Sequence, residues 1–516
     1  MDKKLYSYIA IFAGLVSFAY WSLFAGNAMY NFHEYSDLAQ FSYNMFVYLH
    51  YPALAHGLQI LVYCTHLSPD MVLLLPLYYI APSSLTLLVF QAFLLSATGV
   101  AIFFIANDLL KRPLLSLGMS LAFLLNPGIF GMLVFDFHAE ALIIPFYLLT
   151  FYFYMKSNRK AFYVSSILLL GSIEEGPFMA FTLALALFLY DYRFTHDVQE
   201  RKKKFMMAGS LMVLSILVFA FYSFTVNYLS AAYAQGQYAG LAPILHLLPL
   251  AQSQIAVLST PFTQLSSEFG PMLGYTVYAI LIIFFSFGIA TVFDPVSTIL
   301  LLSPYLTELF IVGNTNFAFI FNQYFGFVLG GTIVATMLGI MSVKNNRGIA
   351  VNEVIEGNEA RKELILKKII PYSMVFMVII LLLFFPTFML SRNVNNFAQD
   401  FLFQITPQQH ALDTQLYSVM NYLPANASLL TTYFIVPHVV NRKDIELIYP
   451  VGYYFQPNYI LIDFNLNVSM NAYSYGQPQY FEAFWANQSK NYTLVAENGT
   501  GWINSAILLK RNVTAK

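Results

Sequence analysis

The chain has 516 residues, of which 58% are hydrophobic, 17% aromatic and only 10% charged, with a formal net charge of −1. That balance excludes a soluble globular enzyme and points to an integral membrane protein, and its short basic clusters offer no footprint for nucleic acid. The lone Cys64 excludes an intramolecular disulfide and a cysteine-based metal cluster.

A helix crossing a hydrocarbon core of roughly 30 Å needs about 20 apolar residues. Eleven segments qualify in chain order: about 5–26, 84–107, 113–134, 141–155, 161–173, 177–191, 205–228, 271–292, 296–312, 324–343 and 370–391. Up to Lys368, every Lys and Arg falls into five clusters: Lys3/Lys4; Lys111/Arg112; Lys156/Arg159/Lys160; Arg193 with Arg201 to Lys204; and Lys344 to Lys368. By the positive-inside rule these clusters are cytoplasmic, which puts Met1 inside and everything from Arg392 onward outside, in a cell-membrane protein. The first segment resembles a signal peptide in having Lys3/Lys4 ahead of it and the small Ala25-Gly26-Asn27-Ala28 run behind it. Its apolar run of about 22 residues exceeds the 7–15 of a signal core, so it reads as an anchor.

After Arg392 the long apolar runs stop. A helical stretch at Gln408–Tyr422 is followed by β-like stretches at Ser428–Val436, Glu446–Tyr449, Tyr459–Phe464, Thr493–Ala496 and Ala506–Lys510. The chain therefore divides into a transmembrane domain, 1–391, and a C-terminal α/β soluble domain, 392–516. Six N-x-[ST] sequons, at Asn426, Asn467, Asn487, Asn491, Asn498 and Asn512, all lie in the second part, which agrees with an extracytoplasmic, glycosylated tail.

The outer face expected from this threading carries Glu34, Asp37, Asp70, Asp136, Glu140, Glu174, Glu175, Glu268 and Glu308, with no Lys or Arg among them. Glu34 and Asp37, three apart, would share a helix face. Phe135-Asp136-Phe-His138-Ala-Glu140 puts three oxygen and nitrogen donors within five residues, and Glu174-Glu175-Gly176-Pro177 forms an acidic turn between apolar segments. Ionised carboxylates crowded at membrane depth are costly unless compensated. Shared protons, histidines acting as cations, or a divalent metal would each compensate them, and hard oxygens with imidazole suit Mg²⁺ or Mn²⁺. Asp70 and Glu268 read as solvated loop charges and Glu308 as a helix-end residue, while His33, His50, His56 and His246 read as structural.

The runs Ser36-Asp37-Leu38, His66-Leu-Ser-Pro69, Phe135-Asp-Phe-His-Ala-Glu140 and Ile173-Glu-Glu-Gly176 together resemble a prokaryotic membrane protein family of unknown function (domain of unknown function number 2079). That family typically shows D-L-G, H-F-S-P, D-F-H-P-E and K-E-D in this order. Asp37, His66, Asp136, His138, Glu140 and Glu174 match, whereas Ala39, Ala139, Ile173 and Glu175 depart from the pattern. The resemblance covers about residues 30–450 and includes Pro437-His438 and Arg442. The family is similar in layout to GT-C class glycosyltransferases. The resemblance implies a GT-C-like polytopic helical fold and transfer from a polyprenyl-phosphate-linked sugar donor at the outer face, with Asp37 as base or metal-positioning residue.

On this reading Asp37 and Glu34 are catalytic; Asp136, His138, Glu140 and His66 hold a metal; Glu174, Glu175 and Arg442 bind substrate. A phosphate approaching so many carboxylates needs a cation, with the metal preferred over Arg442 or Lys443 of a folded-back outer domain; Arg442→Ala then barely affects donor binding. The competing readings are an ion- or proton-coupled transporter and a metal-dependent membrane hydrolase. The sugar, the acceptor and the oligomeric state have no signature in the sequence.

Overall fold

A computed structural model describes residues 3–33, 36–52, 61–63, 66–234, 281, 285, 287–307, 325–345, 363–390, 407–432, 434–447, 457–463, 489–498 and 506–512. These residues are mostly helical, with a small sheet in the C-terminal region. In chain order the first helices are α1 (Lys3–Tyr30), α2 (Ser36–His50), α3 (Leu75–Ile80), α4 (Ser84–Leu110), α5 (Pro113–Leu124), α6 (Pro127–Phe135), α7 (Ile143–Met155), α8 (Arg159–Gly171), α9 (Gly176–Phe194) and α10 (Val198–Ala234). Further helices run over Pro295–Thr307, Phe325–Asn345 and Ile370–Leu390.

Among the described residues, four helical segments are long and apolar enough to cross a membrane: Lys4–Tyr30, Ser84–Leu110, Pro113–Val134 and Val198–Thr225. They coincide with the expected segments 5–26, 84–107, 113–134 and 205–228. Six more of the eleven fall on the helices α7, α8, α9, Pro295–Thr307, Phe325–Asn345 and Ile370–Leu390, and 271–292 lies mostly outside the described residues. Asn126 accounts for the break between α5 and α6: its side chain accepts the Gly128 N–H, and Pro127 withholds a backbone donor at the first helical position.

The first long helices run antiparallel. Ser17 of α1 meets Ser96 of α4 at 3.0 Å, Phe18 meets Phe93, and Ala10 packs near Phe103, so α1 and α4 are antiparallel. Ser120 of α5 donates to the Gly99 carbonyl of α4 at 2.6 Å, tying that pair as closely. One large apolar core, including Phe123, Tyr147, Phe151, Leu183 and Leu338, joins these helices to α7, α9 and Phe325–Asn345. A second, smaller core holds α2, α3 and the short hairpin β1 (Val62–Tyr63) and β2 (His66–Leu67) against the start of α4.

In the C-terminal unit a helix over Pro407–Met420 precedes β3 (Leu429–Thr431), β4 (Ile445–Leu447), β5 (Tyr459–Asp463), β6 (Tyr492–Asn498) and β7 (Ala506–Arg511). The sheet order is β4-β3-β5-β7-β6, parallel across β4-β3-β5 and antiparallel for β7 and β6. The expected strand 428–436 is cut short. Val436–Val439 is a single helical turn with Pro437 near its start, because proline has no N–H to give a ladder.

This unit packs onto the membrane helices. Tyr43 of α2 donates to the Lys443 carbonyl at 2.6 Å, Ser84 to the Pro437 carbonyl at 2.8 Å, and Asn441 to the Pro82 carbonyl at 2.9 Å. Phe32, just past α1, has the left-handed φ of 57° that costs a non-glycine residue energy. Its ring is buried against Tyr417 at 4.9 Å and His438 at 4.1 Å, and that burial offsets the strain.

Candidate functional site

Charge is segregated by helix end. Lys111, Lys156, Arg193 and Lys204 lie where α4, α7, α9 and α10 meet one boundary of the bundle. At the opposite ends of α7, α8 and α9 stand Glu140, Glu174 and Glu175, joined by Asp37, His66, Asp70, Asp136 and His138. Six of the nine expected outer-face carboxylates are thus described, and they occupy one end. Glu34, Glu268 and Glu308 lie outside the described residues.

The segment between α6 and α7 organises the site. Asp136 Oδ2 accepts the Leu38 N–H at 2.8 Å, and its Oδ1 accepts the Phe137 N–H at 2.9 Å. Asp136 therefore supplies from a distant loop the carboxylate that a helix N-terminus wants, and it fixes the first turn of α2. Gln91 of α4 locks this loop from the other side. Its amide nitrogen donates to the carbonyls of Met132 at 2.9 Å and Asp136 at 2.7 Å, and its amide oxygen accepts the His138 N–H at 2.8 Å.

Those constraints aim His138 at Asp37, with Nε2 at 2.8 Å from Asp37 Oδ2. His138 is 1% exposed, whereas the Asp37 side chain is 27% exposed, so the carboxylate is the accessible member of the pair. Burial disfavours a charged His138, but the hydrogen bond to Asp37 and the nearby carboxylates of Glu140 and Asp136 outweigh it and raise the imidazole above its ordinary value. Burial holds the Asp136 carboxyl well above the usual range, against the opposing pull of His138 and of the Leu38 N–H.

A second imidazole–carboxylate pair lies beside the first. His66 Nδ1 is 2.7 Å from Glu174 Oε1, and Glu174 Oε2 accepts the Leu67 N–H at 2.9 Å. Burial opposes charge on His66, yet Glu174, reinforced by Glu140 and Glu175, pushes it up to about 10. Glu175 is the residue that leads into α9.

Glu140 is 0% exposed, and neither carboxylate oxygen has a hydrogen-bond partner among the described residues. Its charge acts on both His66 and His138. The helix Phe325–Asn345 closes over it through Gly326, where a Cβ would lie 2.8 Å from the Glu140 carbonyl oxygen. Asp70, expected as a solvated charge, is instead buried, with its carboxyl against Gly171, whose missing side chain makes the room.

Of the residues expected to hold a metal, Asp136, His138, Glu140 and His66, no three of the described His, Cys, Asp and Glu groups come together as an ion-binding set. Asp136 is turned to backbone N–H groups, and each histidine is turned to a different carboxylate. Among the described residues the two histidines thus face carboxylates rather than a common centre. Arg442 stands apart from this cluster, in the C-terminal unit. Its guanidinium donates to the carbonyls of Val439 at 2.8 Å and of Pro424 and Ala427 at 3.2 Å each, inside the C-terminal unit. The folding back of that unit is present, through Ala39 packed with Val436 and Ile445 and through Tyr43 bonded at Lys443.

Helices of membrane-spanning length, a polar cluster at one end and a small sheet docked beside it define a polytopic membrane protein with a terminal α/β unit. The chain belongs to the family described as a predicted membrane protein (DUF2079), which matches residues 19–503. No curated protein matches it.

Proposed function

We propose that the protein is a membrane glycosyltransferase that takes its sugar from a polyprenyl-phosphate donor, with Asp37 as the general base. The observation that supports this reading best is the Asp37–His138 pair. A half-buried carboxylate hydrogen-bonded to a buried imidazole is placed to accept a proton from an incoming hydroxyl. His138 orients Asp37, and Asp136 and Gln91 hold both elements in register. Glu174, held by His66 and the Leu67 N–H, offers a second acceptor edge for sugar hydroxyls. The GT-C-like, eleven-span architecture with domains 1–391 and 392–516 and the acidic end facing outward belongs to the same proposal.

A test compares lipids retained by detergent-purified wild type and Asp37→Asn. Glycosylated polyprenyl phosphate enriched in the variant, together with a loss of transfer of about 10²- to 10⁴-fold, is the expected result. Bulk phospholipid alone in both samples would sink it.

Glu140 favours a second reading, a proton-coupled transporter. A fully buried carboxylate within the field of two imidazoles is the kind of group proton relays use. Proton flux in liposomes that disappears in Glu140→Gln would replace the first reading with the second.

A further inference from the structure

A cleft of about 440 Å³ lies where the C-terminal unit meets the membrane helices. Met29 near the end of α1 and Pro82 and Ser83 before α4 form one wall; Tyr417, Asn421 and the 437–442 segment form the other. Its size falls within the roughly 300–1,000 Å³ of small-molecule sites. It stands at the ends of two helices long enough to cross a membrane, Lys4–Tyr30 and Ser84–Leu110, where lipid headgroups would lie.

The informative residue in that wall is Arg442. It is 7% exposed, and its recorded bonds all go to carbonyl oxygens, with no carboxylate partner among the described residues. Burial lowers the guanidinium only to about 10, so it is charged at neutral pH. The adjacent His438 is pushed down to about 3 by burial and is neutral, which leaves Arg442 as the charge of the cleft. A buried cation without an anionic partner is expensive, and carbonyl dipoles offset only part of that cost.

We propose that this cleft binds a phosphate ester, with Arg442 as its counter-charge and Tyr417, Asn421 and His438 as neutral hydrogen-bonding neighbours. Guanidinium geometry matches phosphate oxygens, and the cleft is apolar where it meets the membrane helices at Met29. A lipid headgroup and a free phosphate share this chemistry. The site is independent of the transfer reading, because it follows from Arg442 whether or not Asp37 acts as a base.

The test uses the full chain in maltoside micelles, which carry no phosphate, with thermal unfolding read against added inorganic phosphate or a short-chain polyprenyl phosphate. Wild type is stabilised by ligand through mass action. Stabilisation by the lipid alone assigns a headgroup, and stabilisation by both assigns the phosphate itself; either supports the site. Ala425→Trp fills the exposed rim without touching the three Arg442 bonds and lowers affinity at least tenfold. Arg442→Gln removes the charge and does the same; Ala425→Trp decides the matter should Arg442→Gln fail to fold. No shift from either ligand, or equal affinity in wild type and Ala425→Trp, overturns the proposal.

Discussion

The two ends of the helix bundle solve the same electrostatic problem differently. At the basic end, acids both buried and partly exposed meet permanent cations. Arg193 grips Asp294 with bonds of 2.8 and 3.1 Å, Lys204 reaches Asp191 at 3.2 Å, and Lys111 and Lys156 share Asp108. Arg112 likewise reaches Glu363 across 251 residues of chain. At the acidic end the counter-charges are His66 and His138, and Glu140 has no hydrogen-bond partner among the described residues. Permanent pairs hold architecture at any working pH. Imidazole pairs hold it conditionally, and that condition is what chemistry or proton movement needs.

Arg193→Met is the strongest probe of this contrast. It strands the fully buried Asp294 without its guanidinium and is expected to cost about 3–5 kcal/mol in reversible unfolding. A loss below about 1 kcal/mol would erase the distinction between the two ends. Next comes Asp136→Ala, which takes the cap from α2 and is expected to cost about 1–2 kcal/mol. Hydrogen exchange at the Leu38 amide should accelerate with it; unchanged protection would mean that α2 is anchored elsewhere. The pH dependence is smaller and has a definite sign. His66 titrates near 10 when folded against 6.5 ordinarily, so its pairing with Glu174 stabilises fully below about 6.5 and fades as pH rises toward 10. Thermal midpoints of wild type should fall across that window, and His66→Gln should flatten the fall. Smallest is Lys111→Ala, where an exposed ion pair contributes no more than about 1 kcal/mol; a larger change in midpoint would show that the basic end depends on its surface pairs too.

The charge segregation is legible in the sequence because a membrane sorts Lys and Arg by side, so their linear spacing already encodes helix direction. The motif around Asp136 is legible for a related reason, since three donors within five residues cannot scatter far. What spacing does not carry is which loop meets which. Asp136 reads as a ligand because aspartates often are, yet its oxygens go to backbone N–H groups 98 residues away and next door. Asp70 reads as solvated because it follows a proline in a loop, and only the bare face of Gly171 reveals the space that receives it. Gln91 leaves one faint trace, an amide within the long apolar run of α4. Arg442 is conspicuous as a cation, but its attachment to carbonyls depends on the turn around Pro437.

The hydroxyl of Tyr43 closes onto a carbonyl 400 residues later in the chain. Synthesis at roughly 5–20 residues per second puts on the order of 20–80 s between the appearance of α2 and that of its docking partner. During that interval Phe32, Tyr43 and Ser84 have no C-terminal unit to cover them. The side of α2 that meets Val436 and Ile445 is thus covered last.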